Sequence, residues 1–169
     1  NSTALNYGDF STILLTNKQC VIKRCVDTET VLVCINADEN NFYANFNFTV
    51  LDICPVKIGD NVFFGPNCTI ATPMHSFMWQ ERNIKTARDG HDYDEEYGKP
   101  VTIGDNCWFA SNVVITGGVT IGDGCVIGAG SVVTRDIPPN SLAVGNPCRV
   151  IRKITEQDSI RQRKDLWTL

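Results

Sequence analysis

The sequence predicts an all-β solenoid whose short strands turn a corner every six residues. Three observations predict it. From Val101 the chain repeats in blocks: Val101-Thr-Ile-Gly-Asp-Asn, Cys107-Trp-Phe-Ala-Ser-Asn, Val113-Val-Ile-Thr-Gly-Gly, Val119-Thr-Ile-Gly-Asp-Gly, Cys125-Val-Ile-Gly-Ala-Gly and Ser131-Val-Val-Thr-Arg-Asp. The third position of every block is apolar: Ile103, Phe109, Ile115, Ile121, Ile127 and Val133. The same phase occurs upstream in Val56-Lys-Ile-Gly-Asp-Asn, Val62-Phe-Phe-Gly-Pro-Asn and Cys68-Thr-Ile-Ala-Thr-Pro, with Ile58, Phe64 and Ile70 in the third place. A fixed short period marks a repeat architecture. Six matches neither the period of a helix nor the simple alternation of a half-buried strand. With three sides to a coil of about 18 residues, the upstream run is one coil and the downstream run is two.

The remaining elements follow in chain order. Residues 1–40 lack the phase, and their apolar runs, Thr12-Ile-Leu-Leu and Thr30-Val-Leu-Val-Cys-Ile, read as strands at the open end of the prism. The repeat region is expected over 41–154. From Met74 to Pro100 the phase is lost for 27 residues, so a loop over about 74–100 must leave the coil and return. Long excursions from compact domains are commonly functional. Glycine follows the apolar position at Gly59, Gly65, Gly104, Gly122 and Gly128, where it is expected to supply the unusual backbone of a corner. Residues 155–169 read as a short helical tail. From Arg149 to the end, Arg149, Arg152, Lys153, Arg161, Arg163 and Lys164 stand against Glu156, Asp158 and Asp165, a basic end on an acidic chain.

Energetics predicts company for such a fold. Each coil buries three large side chains worth roughly 1.5–3 kcal/mol apiece, while ordering each residue costs about 1–2 kcal/mol. A coil therefore depends on stacking, and a solenoid face or end needs a cap or a partner. A three-sided prism favours a homo-oligomer with threefold symmetry.

Length and composition fit one domain over 1–169, with 43% hydrophobic and 20% charged residues. A net charge of −4 argues against a nucleic-acid partner. No apolar run approaches the length of a transmembrane helix, and no signal segment opens the sequence, so neither a membrane nor secretion is expected. Eight cysteines without a Cys-x-x-Cys pair fit a reducing, cytoplasmic setting better than a disulfide framework or a zinc site. Cys68, Cys107 and Cys125 open blocks, where a small inward side chain is needed and a buried free thiol serves. The two histidines, His75 and His91, both lie in the excursion. His75 follows directly on a coil, which fixes its position, whereas His91 sits in the acidic stretch Asp89-Gly-His-Asp-Tyr-Asp-Glu-Glu and reads as an exposed loop residue.

Several segments together resemble one family. They are Asn41-Phe-Tyr-Ala-Asn-Phe-Asn47, Leu51-Asp52, the stretch from Ile58 to His75, Glu81-Arg-Asn83, the run from Tyr97 to Trp108, Gly128-Ala-Gly-Ser-Val-Val-Thr134 and Gly145-Asn-Pro-Cys-Arg-Val-Ile-Arg152. They look like the maltose and galactoside O-acetyltransferases, hexapeptide-repeat enzymes that are left-handed parallel β-helices. The likeness runs from about Asn41 to Ile154. It implies a homotrimer with active sites at subunit interfaces. It also implies transfer of an acetyl group from acetyl-CoA, as co-substrate, to a hydroxyl of a sugar or other small-molecule acceptor.

Residue by residue, His75 matches the family's catalytic base. An alcohol is a poor nucleophile until a base takes its proton, and imidazole suits that task near neutral pH. Tyr43 and Asn45 match acceptor-binding positions, with Asp52 a helper to the acceptor or the histidine. Trp108 matches a tryptophan beside the cofactor arm. Ser111, Ala129, Thr134, Arg135, Arg149 and Arg152 match positions that hold coenzyme A, the arginines as permanently charged phosphate donors. No metal is expected. Two departures bear on the acceptor: residues 1–40 differ from the family's helical start, and the segment from His75 to Trp108 is longer. The open alternatives are a non-sugar acceptor (an amine, an antibiotic or an amino-sugar nucleotide), a γ-carbonic-anhydrase-type metalloenzyme, and a β-helix without chemistry.

Overall fold

A computed structural model describes residues 41–163 in full and, as backbone alone, four strands before them: Ser11–Leu15, Lys18–Ile22, Val31–Leu32 and Asn36–Ala37. The rest of the run expected from Thr30, and tail residues 164–169, lie outside the described residues. The fold is a left-handed parallel β-helix.

Three faces emerge from the six-residue blocks. The first stacks Ser11–Leu15, Val56–Ile58, Val101–Ile103 and Thr120–Ile121 in parallel, and Ile137 extends it by a bridge to Ile121. The second stacks Phe42–Ala44, Phe63–Phe64, Trp108–Phe109, Val126–Ile127 and Ser141–Val144. The third stacks Thr49–Leu51, Thr69–Ala71, Val114–Thr116 and Val132–Val133. Rung-to-rung bonds such as Thr102 N to Val119 O at 3.0 Å and Trp108 N to Cys125 O at 2.9 Å run along the prism axis. The upstream coil thus has a further partial coil beneath it, over Phe42–Leu51, that the six-residue phase does not mark. Exposed sheet edges invite other strands, and here antiparallel strands cover the ends. Lys18–Ile22, Asn36–Ala37 and Val31–Leu32 close the lower end, and Arg149–Lys153 pairs with Ser141–Val144 at the top.

The core lies inside the prism and is filled by the first and third position of each block. Val56, Ile58, Val62, Phe64, Cys68 and Ile70 in one coil, and their counterparts Val101, Ile103, Cys107, Phe109, Val113 and Ile115 in the next, are all buried. Phe48, Phe64 and Phe109 form an axial stack. Phe64 lies 4.4 Å from Phe109 at an interplanar angle of 9° and 4.5 Å from Phe48. The three block-opening cysteines are buried and free, as expected. A hydrogen bond with Cys125, together with burial, pushes the Cys107 thiol up and keeps it protonated.

The expected role of the glycines needs correction. Gly59, Gly65, Gly104, Gly122 and Gly128 are not among the residues with positive φ. They are needed for closeness: a Cβ on Gly59 would stand 2.8 Å from Asp105 N, and one on Gly122 2.7 Å from Pro139 N, in the next coil. The left-handed corner falls at the sixth position instead, at Asn61 (φ 56°), Asn67 (60°), Asn106 (59°), Asn112 (61°), Gly118 (86°), Gly124 (66°) and Gly130 (70°). Asparagine tolerates that region better than other side chains. It also adds a ladder, since Asn41 donates to Asn61 at 2.8 Å, and Asn61 to Asn106 at 3.1 Å.

At the far end the expected helical tail is two 3-10 turns, Glu156–Asp158 and Ile160–Gln162. The first is closed by a reciprocal capping box between Thr155 and Asp158.

Candidate active site

The excursion is rooted in the corner between the third and first faces. At its base Thr72 is fully buried, donating from Oγ1 to Leu51 O at 2.9 Å and accepting from Cys54 N at 3.1 Å. Lys99 N closes the loop onto Thr72 O at 3.2 Å. Gly98 is required there by close approach, because a Cβ would fall 2.7 Å from Cys54 Sγ and 2.8 Å from the Ile53 side chain. From this base Pro73–His75 and Glu96–Gly98 form an antiparallel ribbon with His75 opposite Glu96.

Beyond the ribbon the chain makes one helical turn, Trp79–Arg82, and a second small ribbon, Lys85–Thr86 against Asp92–Tyr93. Arg82 ties the turn back by donating to Phe77 O at 3.1 Å, and Ser76 donates to Glu81. Lys85 Nζ meets Glu95 Oε1 at 2.6 Å, and that bond pushes the lysine above its ordinary range. An open cleft of about 430 Å³ results, lined by Ser76, Phe77, Met78, Glu81, Glu95, Glu96 and Tyr97.

His75 lies beside this cleft, next in the chain to Ser76 and across the ribbon from Glu96, and its side chain is 46% exposed. Its Nε2 is 3.6 Å from Glu96 Oε1 and its Nδ1 is 4.0 Å from Asp94 Oδ2. A solvent-open imidazole with carboxylates at hand on a hydrogen-bonded ribbon can accept and relay a proton. His91 is exposed at the far end of the excursion with Nδ1 2.5 Å from Asp89, as its acidic surroundings led one to expect.

The other candidates divide between two parts of the prism. Asp52 follows the third-face strand Thr49–Leu51 at the corner from which the excursion springs. Thr134 and Arg135 follow Val132–Val133 at that same corner, higher up the prism. Tyr43 and Trp108 point outward from the second face in a register column that runs Tyr43, Phe63, Trp108, Val126, Leu142, Arg152. Asn45, Ser111 and Ala129 occupy the corner between the second and third faces. Asn45 Oδ1 accepts from Phe46 N at 2.8 Å, and Gly130 N stacks that corner on Ser111 O at 3.0 Å. Arg149 lies near the top of this corner opposite Val144, donating to Cys148 O at 2.8 Å. Arg152 ends the column with its guanidinium forked onto Asp158 at 2.8 and 2.5 Å, which lowers that carboxyl to about 2. In a three-sided prism the corner between two faces lies across from the remaining face. One chain therefore holds His75, Asp52, Thr134 and Arg135 apart from Tyr43 and Trp108.

The sequence presents Asp94 and Glu96 as members of a solvated acidic cluster with Asp92 and Glu95, with a cationic acceptor as the alternative, and does not connect them with His75. Their approach to His75 depends on the ribbon register, for which a separation of about twenty residues leaves no periodic signal.

Comparison with known proteins gives a consistent picture. The family described as bacterial transferase hexapeptide (six repeats) matches residues 100–135, and the hexapeptide repeat of succinyl-transferase matches residues 55–74. Galactoside O-acetyltransferase of Escherichia coli (strain K12) is 51% identical over 125 residues, covering 74% of this chain and 57% of that protein. The crystal structure of a maltose O-acetyltransferase from Clostridium difficile 630 matches with 52% identity and a TM-score of 0.55, over 69% of this chain and 60% of that one. A galactoside acetyltransferase in complex with coenzyme A matches with 48% identity and a TM-score of 0.60, over 70% and 57%. The chain thus spans less than two thirds of the length of these relatives.

Proposed function

The coils of this chain belong to the hexapeptide-repeat family of galactoside and maltose O-acetyltransferases, and from that premise we propose that it is an acetyl-CoA-dependent O-acetyltransferase. The acceptor is a hydroxyl of a sugar or sugar-like small molecule, and the enzyme works in the cytoplasm. The observation that carries the reading is the placement of His75, a solvent-open imidazole fixed by a ribbon whose partner strand, with Glu96 and Tyr97, lines the neighbouring cleft. In the reaction His75 takes the proton of the acceptor hydroxyl as its oxygen attacks the thioester carbonyl. The carbon–sulfur bond then breaks, and the proton passes from the imidazolium to the departing thiolate. A thioester is already activated, so holding the reactants in line supplies much of the acceleration without a covalent acyl-enzyme.

The division of the candidates supports a homotrimer with sites between subunits. The corner of one copy, with His75, Asp52, Thr134 and Arg135, would meet the second face of the next, with Tyr43 and Trp108, and the corner that bounds that face, with Asn45, Ser111, Ala129 and Arg149. Such a head-to-tail contact closes into a ring of three when the prisms pack side by side. The exposed aromatic column of Tyr43, Phe63 and Trp108 is the surface this contact would cover. Arg149 would meet the coenzyme phosphates with less competition than Arg152, which already holds Asp158.

A second reading of the acceptor rests on the cleft, whose carboxylates Glu81, Glu95 and Glu96 favour one carrying a cation. The test is acetyl-CoA-dependent thiol release with a panel of sugars, glycosides and amino alcohols. Turnover with glycosides supports the first reading, and turnover confined to amino alcohols supports the second. Wild-type turnover by His75→Ala contradicts the base assignment, since removal of a general base is expected to lower turnover by about 10²-fold or more.

A further inference from the structure

We infer that Ser131 is the positioning residue for Arg149, an inference that rests on the coenzyme A reading of that arginine above. Ser131 breaks the repeat. Each of the other blocks from Val56 to Cys125 opens on valine or cysteine, whereas this one opens on a fully buried hydroxyl. Burying a hydroxyl is costly unless it is bonded, so its partners show what it serves. It donates to Gly128 O at 2.5 Å, across the corner that carries Ala129, and accepts from Gly145 N at 3.0 Å. The third face ends at Val132–Val133, and the loop from Gly145 to Cys148 takes the place of a further strand there. Two backbone bonds hang that loop on the face, Val132 N to Gly145 O at 3.0 Å and Cys148 N to Val132 O at 2.8 Å. Arg149 follows directly, its guanidinium donating to Cys148 O at 2.8 Å.

The consequence concerns coenzyme binding. One oxygen fixes the corner that carries Ala129 and the loop that presents Arg149 relative to each other. A guanidinium gains most from a phosphate when its root is already held, because less ordering is then left to the binding step. Without the hydroxyl, Gly145 N loses its partner in a part-buried place, and the loop shifts to find another, taking Arg149 with it. Ser131 touches neither acceptor nor coenzyme in this scheme and acts through Arg149.

The experiment measures the dissociation constant of coenzyme A by calorimetry for Ser131→Ala, Ser131→Cys, Arg149→Ala and the double variant Ser131→Ala with Arg149→Ala. Steady-state kinetics of acetyl-CoA-dependent thiol release accompany it, with an acceptor that the wild-type enzyme turns over. Loss of one hydrogen bond at the root of the loop predicts coenzyme binding weaker by about 3- to 10-fold in both Ser131 variants. Their kcat and acceptor KM should stay within about twofold of wild type. In the double variant, removal of the hydroxyl should cost less than about twofold beyond Arg149→Ala, because the side chain it positions is gone. Cysteine fills nearly the same space and bonds only weakly, so Ser131→Cys decides the matter if alanine disturbs the cap. Unchanged coenzyme binding in Ser131→Cys overturns the inference, whatever happens to thermal stability. Equal fold-losses on removing the hydroxyl with and without Arg149 also overturn it, by making its role one of general support. Arg149→Ala with wild-type coenzyme binding overturns the phosphate reading of Arg149 instead, and the positioning role falls with it.

Discussion

At residue scale, the sixth position of each block shows how backbone geometry and side-chain chemistry can be separated. Asn106 sits at φ 59°, donates its N–H to Asp60 O at 2.7 Å, and accepts from Asn61 through its side chain. A left-handed conformation costs most L residues roughly 1–2 kcal/mol. Asn106→Ala should therefore lower stability by about that much, while Asn106→Gly, free of the strain, should cost distinctly less. Equal losses in denaturant midpoint for the two variants would mean that the asparagine ladder, not the backbone, is what matters there. The asparagines were visible in the sequence, but glycine after the apolar position drew the corner assignment. Glycine serves two needs, positive φ and close approach, and composition alone does not tell them apart. His75 was legible because it follows a coil whose phase is fixed. Its neighbour Glu96 was not, because only the ribbon register brings them together.

At the scale of elements, the coil is the unit of packing. Phe64 is wedged between Phe48 and Phe109, at 4.5 and 4.4 Å, and is 1% exposed. Phe64→Ala should destabilise the protein by about 3–5 kcal/mol through lost burial and the cavity left behind. A loss below about 1 kcal/mol in chemical denaturation would contradict so rigid a stack. Elements with the repeat were readable to the residue, since every inward position is fixed by the count of six. The excursion was readable only as an interruption. Its two ribbons and helical turn come from pairings among 27 residues with no repeat, and its cleft depends on ties such as Lys85 to Glu95 that no local pattern announces. The partial coil over Phe42–Leu51 lies within the repeat region expected over 41–154, but its blocks, with Phe42, Ala44, Phe48 and Val50 inward, are out of step with those that start at Val56.

At the scale of the whole molecule, the candidate residues of one chain fall on opposite sides of a prism, and the proposed homotrimer would join them as half-sites. The corner half carries His75 on its ribbon, and the second face carries the exposed Trp108. The repeat made threefold company expected on energetic grounds, while the split of the candidate residues gives that company a catalytic reason. The most direct test is subunit complementation. Chains carrying His75→Ala and chains carrying Trp108→Ala are co-expressed under different tags, and assemblies bearing both tags are assayed for acetyl-CoA-dependent thiol release. With each variant alone inactive, a ring of three in which the corner of one copy works against the face of the next predicts recovery to about one third of wild-type activity. Mixed assemblies as inactive as either parent would contradict a site shared between copies.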